Sequence, residues 1–437
     1  MTFPPTITEA AAAIRAGKLT SVAIVEQCLE RIRRYDEKLR AWVLVDHEGA
    51  LSAAAAADRE LAKGHDRGSL HGIPIGIKDI IDVEGLPTRC GSPLTSPDPA
   101  QHDATVVAHL RKAGAIILGK TTTCEWACFD PSPTRNPWNL ERSPGGSSSG
   151  SAAAVAAGMC FGAIGTQTGG SIIRPAAFCG VCGFKPTMGS ISTEGVTAFA
   201  PSLDHVGFIA RSVADLSILY SAAADDRVDA ISLANSTQPP TLAELNGYFA
   251  KEAADDVRNG VRVAIDRLAA AGANITARQL DDEAIVAALA VHRITMAVEV
   301  AGEHDDRYSK SSSQFGPQIR QLIEEGLADR RDKFRFLTDQ SSAFREQITA
   351  AIATVEGFCL PAVSTTAPTL DSTGDSRFQA LWSLTGIPAV TIPCALGSDR
   401  LPIGLQLVGK QLGDVEILQT AAWCEQVLGF HERPPFA

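Results

Sequence analysis

Basic charge is scarce in this chain, because 39 lysines and arginines stand against 50 aspartates and glutamates and the formal net charge is −11. An acidic balance argues against nucleic acid or an anionic membrane as the main partner. Long apolar runs are missing too: the longest, residues 152–165, is rich in alanine and glycine and is shorter than the ~20 residues of a membrane helix. No basic segment followed by an apolar one opens the sequence. We therefore expect a cytoplasmic protein with no secretory signal and no membrane contact.

Metal-binding patterns are also missing. The ten cysteines follow no disulfide rhythm, and Cys179 and Cys182 form the single C-x-x-C. No second C-x-x-C and no clustered pair of histidines completes a zinc set. We expect buried free thiols in a reducing compartment, with no metal and no cofactor.

Helical and strand-like segments alternate through the first half of the chain. Thr6 and Glu9 have the spacing of a capping box, which predicts a helix that begins there. The β-branched run 73–77 is typical of a buried strand, and a helix-like segment at 105–113 is followed by a strand-like one at 115–118. This rhythm predicts an α/β fold with a layered sheet.

The second half is less regular. Residues from about 226 to 350 are more polar and are predicted to be mostly helical, with 255–271 as one amphipathic helix. Strand-like texture returns at 358–361 and 387–392. Without repeats or a low-complexity linker, we interpret 1–437 as a single domain in which the polar stretch is a cap or an insertion.

The segment 143–180 contains two turns rich in glycine and serine, and three interpretations compete for it. Glycine lets the backbone approach a ligand closely, so a phosphate cradle is the first. Neither G-x-x-x-x-G-K-[ST] nor G-x-G-x-x-G is found there, which argues against it. A nucleophile elbow centred on Ser148 is the second, since Gly146 to Gly150 fits G-x-S-x-G. That motif needs a strand directly before it, whereas 136–144 has the composition of irregular coil.

The third interpretation combines serines from both turns with Lys78, which ends an apolar, strand-like run. Burial disfavours the charged form of a lysine, so its pKa can fall far enough for the amine to act as a base. The alternative is an ordinary strand-end lysine that pairs with Asp79 or Asp82.

Together these segments resemble the amidase-signature hydrolases over nearly the whole chain. The motifs that carry the resemblance are GIPIGIKD around Lys78, SPGGSSSGSAAAVAAG from Ser143, GTQTGGSIIRPAAFCG from Gly165, LDHVGFIARSVAD from Leu203 and FQALWSLTGIPAVTIP from Phe378. The resemblance implies an α/β fold with a central mixed β-sheet covered by helices on both faces.

It also implies a mechanism. In that family the serine after the second Gly-Gly is the nucleophile, which corresponds to Ser171, and the relay serine corresponds to Ser147. The peptide bond between Gly146 and Ser147 is then expected to be cis, and neutral Lys78 is expected to draw the proton. Backbone N–H groups around the oxyanion come from Ser171 and from the residues before it, which are Thr168, Gly169 and Gly170. Thr166 is expected to support the oxyanion strand and is also a candidate substrate-binding residue. Nearby serines are expected to hold the turn: Ser148, Ser149 and Ser151.

The sequence departs from the usual family pattern at two positions. Gln167 stands where Asp is frequent, and Arg174 is displaced by one residue from the common S-I-R-x-P. The second variant resembles a malonamidase-like subgroup, in which an arginine here binds a substrate carboxylate through its bidentate fork. The alternative is that Arg174 pairs with a buried acid and supports the site.

The substrate pocket is less defined. Trp126 and Phe129 are candidate lining residues, as are Trp138 and Trp382, although large aromatic residues more often fill cores. None of the nine histidines is grouped with the chemistry in the sequence.

The leading hypothesis is an amidohydrolase that acts on a small amide without a metal. A carbamate or ester hydrolase with the same triad is the alternative. An amidotransferase A-type subunit comes next, followed by a catalytically silent binding protein. The expected partner is a small-molecule amide or carbamate, and a homodimer is the expected assembly if there is one.

Overall fold

The computed structural model describes residues 4–224, 238–328 and 334–436. The helices are α1 (Ile7–Arg15), α2 (Ser21–Leu39), α3 (His47–Ala62), α4 (Thr105–Lys112), α5 (Ser149–Ala156), α6 (Ile173–Cys179), α7 (Val213–Ala223), α8 (Tyr248–Glu252), α9 (Asp255–Ala270), α10 (Asp282–Ser311), α11 (Pro317–Ala328), α12 (Phe334–Ile352), α13 (Arg377–Thr385) and α14 (Asp414–Leu428). The strands are β1 (Trp42–Val45), β2 (Pro74–Lys78), β3 (Ile116–Thr121), β4 (Gly162–Gln167), β5 (Cys182–Lys185), β6 (His205–Ala210), β7 (Thr241–Asn246), β8 (Asn274–Gln279), β9 (Gly357–Pro361), β10 (Ala389–Leu396) and β11 (Pro402–Val408).

Local sequence signals account for the first helices. The Thr6 hydroxyl accepts the N–H of Glu9, and the Glu9 carboxylate accepts the N–H of Thr6, so the predicted capping box is confirmed. Thr20 caps α2 in the same way, by accepting the N–H of Ala23.

The strands form one mixed sheet in the order β1-β3-β2-β4-β6-β5-β10-β11-β9-β7-β8. β2 runs parallel to β3 and β4, whereas the pairs from β4 to β9 across the centre are antiparallel. Every residue of β2 to β6 is buried. Successive side chains point to opposite faces of a sheet, so both faces are covered. The predicted mixed sheet flanked by helices is confirmed.

Helices make up most of the described part of 226–350, and two strands that were not predicted interrupt them. β7 and β8 lie within this stretch and extend the sheet at its far edge. β8 has no buried residue, so its sequence lacks the apolar alternation by which strands are recognised. The amphipathic helix predicted at 255–271 is present as α9. Residues 226–237 lie outside the described residues.

Helix α10 is the longest of the described helices. Among the described helices, one segment, Asp282–Gln314, is long and apolar enough to cross a membrane. Half of its most apolar 18-residue stretch is buried inside the molecule. Such burial is typical of a helix that packs into a protein core. All ten cysteines are buried free thiols, as predicted.

The topology brings the predicted site residues to one edge of the sheet. β2 and β4 are parallel neighbours, so their carboxyl ends lie side by side, where α/β proteins commonly bind ligands. Lys78 is the last residue of β2, and Thr166 and Gln167 end β4. The turn before α5 and the loop before α6 supply Ser147 and Ser171.

Candidate active site

Lys78 is completely buried at the end of β2. Its Nζ lies 2.7 Å from Ser147 Oγ and 2.7 Å from Thr166 Oγ1. The neighbouring carboxylate of Asp79 pairs instead with Lys120, at 2.9 Å. Burial lowers the pKa of Lys78 to about 7 and outweighs the opposing field of Asp204. A lysine in this state is available as a base near neutral pH.

The turn that carries Ser147 is fixed from two sides. The peptide bond between Gly146 and Ser147 is cis. The Arg174 guanidinium donates to the Gly146 carbonyl through Nε at 3.2 Å and Nη2 at 2.8 Å, and the N–H of Cys124 donates to the Ser147 carbonyl at 3.3 Å. A Cβ at position 146 would lie 2.6 Å from the Cys124 sulfur, so this close approach requires glycine.

Ser171 lies in the loop between β4 and α6 and is 8% exposed. Its carbonyl accepts the N–H of Ser148 at 3.3 Å, which links this loop to the turn of Ser147. The Ser148 hydroxyl lies 3.3 Å from both the N–H and the carbonyl of Thr166. It therefore holds the turn against β4. Residues 136–144 form isolated bridges rather than a strand before the turn, so the strand that a nucleophile elbow requires is not found there.

The loop 168–171 presents backbone N–H groups. Among the described residues, no acceptor lies within hydrogen-bond reach of the N–H groups of Gly169, Gly170 and Ser171. The Thr168 hydroxyl donates to Asp204 at 2.5 Å, and Asp204 also accepts the N–H groups of Phe199 and Ala200. A loop held in this way with unused donors has the composition of an oxyanion hole.

The contacts of Gln167 account for a glutamine at a position where aspartate is frequent in the family. Its Oε1 accepts the N–H groups of Ile172 at 3.0 Å and Ile173 at 3.1 Å, at the start of α6. Its Nε2 donates to Ser383 Oγ at 3.2 Å, and Ser383 donates to the Gly169 carbonyl at 3.0 Å. A carboxylate accepts but cannot donate, so only the amide holds the helix start and also leaves the Ser383 hydroxyl hydrogen for the Gly169 carbonyl.

Arg174 contacts carbonyls in place of the expected acid. The side chain is 1% exposed, and besides Gly146 it donates to the Gly374 carbonyl at 2.7 Å. The buried acid expected as its partner is not among these contacts. A role in binding a substrate carboxylate stays a prediction.

The candidate pocket aromatics separate into two groups. Trp138 donates its Nε1–H to the Cys179 carbonyl at 2.8 Å, and the completely buried Trp382 stacks on Phe249 at 6.0 Å between ring centres. Trp382 therefore fills the interior, whereas Trp138 is partly buried and packs against the core.

Trp126 and Phe129 lie on the loop after β3, against α10. The Trp126 ring packs edge-on to His304, and the Arg307 guanidinium lies 4.9 Å from its centre. It also lines a cavity of about 650 Å³. Arg293 lies 5.7 Å from the Phe129 ring centre. Their role as substrate contacts stays a prediction.

One residue near the site was missed. The Nε2 of His292, on α10, lies 3.0 Å from the Thr168 carbonyl, and the side chain is 4% exposed. The expectation that no histidine is grouped with the chemistry is therefore wrong for His292. No local signal marks it, because it lies 124 positions from Thr168 and occupies the apolar face of its helix with Ala288 and Met296.

Comparisons with known proteins identify the family of the chain. The Amidase family model matches residues 23–418. A Mycobacterium tuberculosis protein named "Putative amidase AmiD" is 33% identical, with 98% of this chain and 95% of that protein covered. A glutamyl-tRNA(Gln) amidotransferase subunit from a Roseiflexus species is 35% identical, with 98% of each chain covered. The structure of peptide amidase from Stenotrophomonas maltophilia superposes with a TM-score of 0.87 at 29% identity, over 99% of this chain and 98% of that one. The chain belongs to the amidase family.

Proposed function

We propose that this protein hydrolyses the C–N bond of small amides through an acyl-enzyme on Ser171, with Ser147 as the proton relay and Lys78 as the base. The observation that carries the proposal is the position of Lys78, which is buried, forms no ion pair with a described carboxylate and lies 2.7 Å from Ser147 Oγ. An amine held in this way has its lone pair available for the Ser147 proton.

The proton path follows from this arrangement. Neutral Lys78 accepts the Ser147 proton, Ser147 accepts the Ser171 proton, and Ser171 Oγ attacks the amide carbon. The negative charge that forms on the carbonyl oxygen is stabilised by the N–H groups of the loop 168–171. Ser147 then returns a proton to the leaving amine as the C–N bond breaks, and water hydrolyses the ester on Ser171 by the same path. General-base catalysis typically contributes about 100- to 10,000-fold to the rate.

The acyl-enzyme route does not require nitrogen as the leaving atom, so carbamates and esters are the alternative substrates. A panel of matched amides, carbamates and esters with one acyl group separates these activities. An amide that carries a carboxylate belongs in the panel, because selective cleavage of it, lost in Arg174→Lys, would support the malonamidase-like interpretation.

An amidotransferase A-type subunit is the second candidate, and the similarity to a glutamyl-tRNA(Gln) amidotransferase subunit favours it. A protein of that kind needs a partner for its physiological reaction. Turnover of several unrelated amides by the isolated chain would support the independent amidase, whereas hydrolysis limited to glutamine would support the amidotransferase.

The experiment that tests the triad is the intact mass after exposure to a small alkyl fluorophosphonate. We expect one adduct on the wild type, none on Ser171→Ala and much slower formation on Lys78→Ala. Ser148→Ala is the matched control, because Ser148 lies in the neighbouring turn and its hydroxyl bonds to the backbone of β4. An adduct that persists in Ser171→Ala but is lost in Ser148→Ala would overturn the assignment.

A further inference from the structure

Three successive carbonyls of the loop 168–171 accept hydrogen bonds from donors that lie outside the oxyanion hole. The Thr168 carbonyl accepts from His292 Nε2 at 3.0 Å, and the Gly169 carbonyl accepts from Ser383 Oγ at 3.0 Å. The Gly170 carbonyl accepts the N–H of Arg174 at 2.9 Å. In a trans peptide the C=O and the following N–H lie in one plane and point in opposite directions. A donor that fixes a carbonyl therefore also fixes the direction of the next residue's N–H.

This geometry assigns one N–H to each donor. His292 sets the Gly169 N–H, Ser383 sets the Gly170 N–H, and the first turn of α6 sets the Ser171 N–H. Two of these groups belong to glycines, whose backbone rotates more easily than that of any other residue. Without outside donors, the loop would lose the orientation that a preorganised oxyanion hole requires.

We propose that His292 is a positioning residue that directs the Gly169 N–H into the oxyanion hole. The proposal rests on the proposed function, because it assumes that Ser171 attacks a carbonyl at this loop. Through this contact α10, which lies in the polar second half of the chain, orients a backbone N–H group of the proposed oxyanion hole.

The protonation state of His292 agrees with this role. A carbonyl oxygen only accepts, so Nε2 must carry the hydrogen. Burial lowers the pKa of His292 to about 4, so the ring is the neutral Nε2–H form at neutral pH. The ring also packs on the loop directly, since a Cβ at Gly169 would lie 3.6 Å from its Cε1.

The test compares His292→Gln, which keeps an N–H donor at similar reach, with His292→Leu, which removes it. The readouts are kcat and KM for the best amide of the panel and the rate of inactivation by the fluorophosphonate. Loss of one oxyanion donor costs about 100- to 1,000-fold in kcat, and a misdirected donor should cost less. We expect kcat of His292→Leu to fall about 10- to 100-fold with KM within about twofold, and His292→Gln to restore most of it.

His304→Leu is the matched control. His304 is buried on the same helix, about 18 Å further along its axis, and neither of its ring nitrogens has a partner among the described residues. We expect kcat of this variant to equal that of the wild type. A wild-type kcat in His292→Leu would overturn the proposal, and so would an equal loss in His292→Gln or in His304→Leu.

A second pair of variants, His292→Asn and His292→Gln, and a crystal structure distinguish the loss of this hydrogen bond from a folding defect in His292→Leu. His292→Asn carries the same amide as His292→Gln but is one methylene shorter, so it should lack the contact and show the lower kcat. A crystal structure of His292→Asn should show the Thr168–Gly169 peptide rotated, and an unchanged peptide would contradict the proposal. Full activity in Ser171→Ala or Lys78→Ala would instead contradict the proposed function itself.

Discussion

Lys78 ends β2, and Lys120 is the next-to-last residue of the parallel neighbour β3; both side chains are completely buried. Lys120 Nζ forms an ion pair with Asp79 at 2.9 Å and bonds to Thr88 Oγ1 and the Pro87 carbonyl. Among the described residues, Lys78 Nζ has two hydroxyl partners within hydrogen-bond distance, on Ser147 and Thr166. A buried lysine can therefore act as a base only if no carboxylate pairs with it. Lys120 fails this second condition, and Lys78 meets it among the described residues.

The sheet itself separates the two environments. In the register of β2 and β3, Lys120 is opposite Ile77 and Thr121 is opposite Lys78. Paired residues share a face and successive residues alternate, so Lys78 and Lys120 point to opposite faces. One residue past the strand, Asp79 continues this alternation and lies on the face of Lys120. The carboxylate next to Lys78 in sequence is thereby kept away from it in space.

The largest expected effect is on catalysis. In Lys78→Met, kcat for the best amide should fall about 1,000-fold, within the range of general-base catalysis. The free energy of unfolding should not fall by more than about 1 kcal/mol, because the variant removes a buried amine that has no counterion. Initial rates and urea denaturation measure the two quantities. A kcat within about tenfold of the wild type would remove Lys78 from the mechanism.

Lys120 should show the opposite pattern. Lys120→Met leaves Asp79 buried and unpaired, so the free energy of unfolding should fall by about 3–5 kcal/mol. The double variant Asp79→Asn/Lys120→Met should recover much of this loss, because it leaves no lone charge. Urea denaturation of both variants checks the result. The comparison fails if Lys120→Met is no less stable than Lys78→Met.

The pH dependence sharpens the comparison with a smaller effect. Burial lowers the pKa of Lys78 from 10.5 to about 7, and the proposed base is the neutral amine. The kcat/KM should therefore rise as the pH increases through this midpoint and level off above it. Thr166→Val removes an acceptor that stabilises the protonated amine, so its rising limb should move to lower pH. Profiles of kcat/KM against pH for both proteins decide this, and an unmoved limb would argue against the contact.

Much of the fold can be predicted from local sequence. The capping box at Thr6, the strand before Lys78 and the amphipathic α9 each follow from residues close together in the chain. The edge strand β8 could not be predicted in the same way, because its exposed positions leave no apolar alternation. The family motifs located the candidate triad, but they said nothing about what surrounds it.

The surroundings depend on contacts between distant segments. Ser383 reaches the Gly169 carbonyl across 214 positions, and His292 reaches Thr168 across 124. A buried acid was one of the two partners considered for Arg174, but the guanidinium donates to the Gly146 and Gly374 carbonyls. Such partners are set by the packing of whole elements, whereas the alternation of Lys78 and Asp79 could have been read from the strand itself.

The central claim is that Lys78 loses its proton near neutral pH. NMR titration of the enzyme labelled with ¹³C at lysine Cε tests this claim most directly. The Lys78 resonance is the one that disappears in Lys78→Met, which distinguishes it from Lys185, whose pKa burial also lowers to about 7. The account predicts that the Lys78 resonance titrates with a midpoint near this value. A resonance that keeps its ammonium position to about two pH units above that midpoint would contradict it.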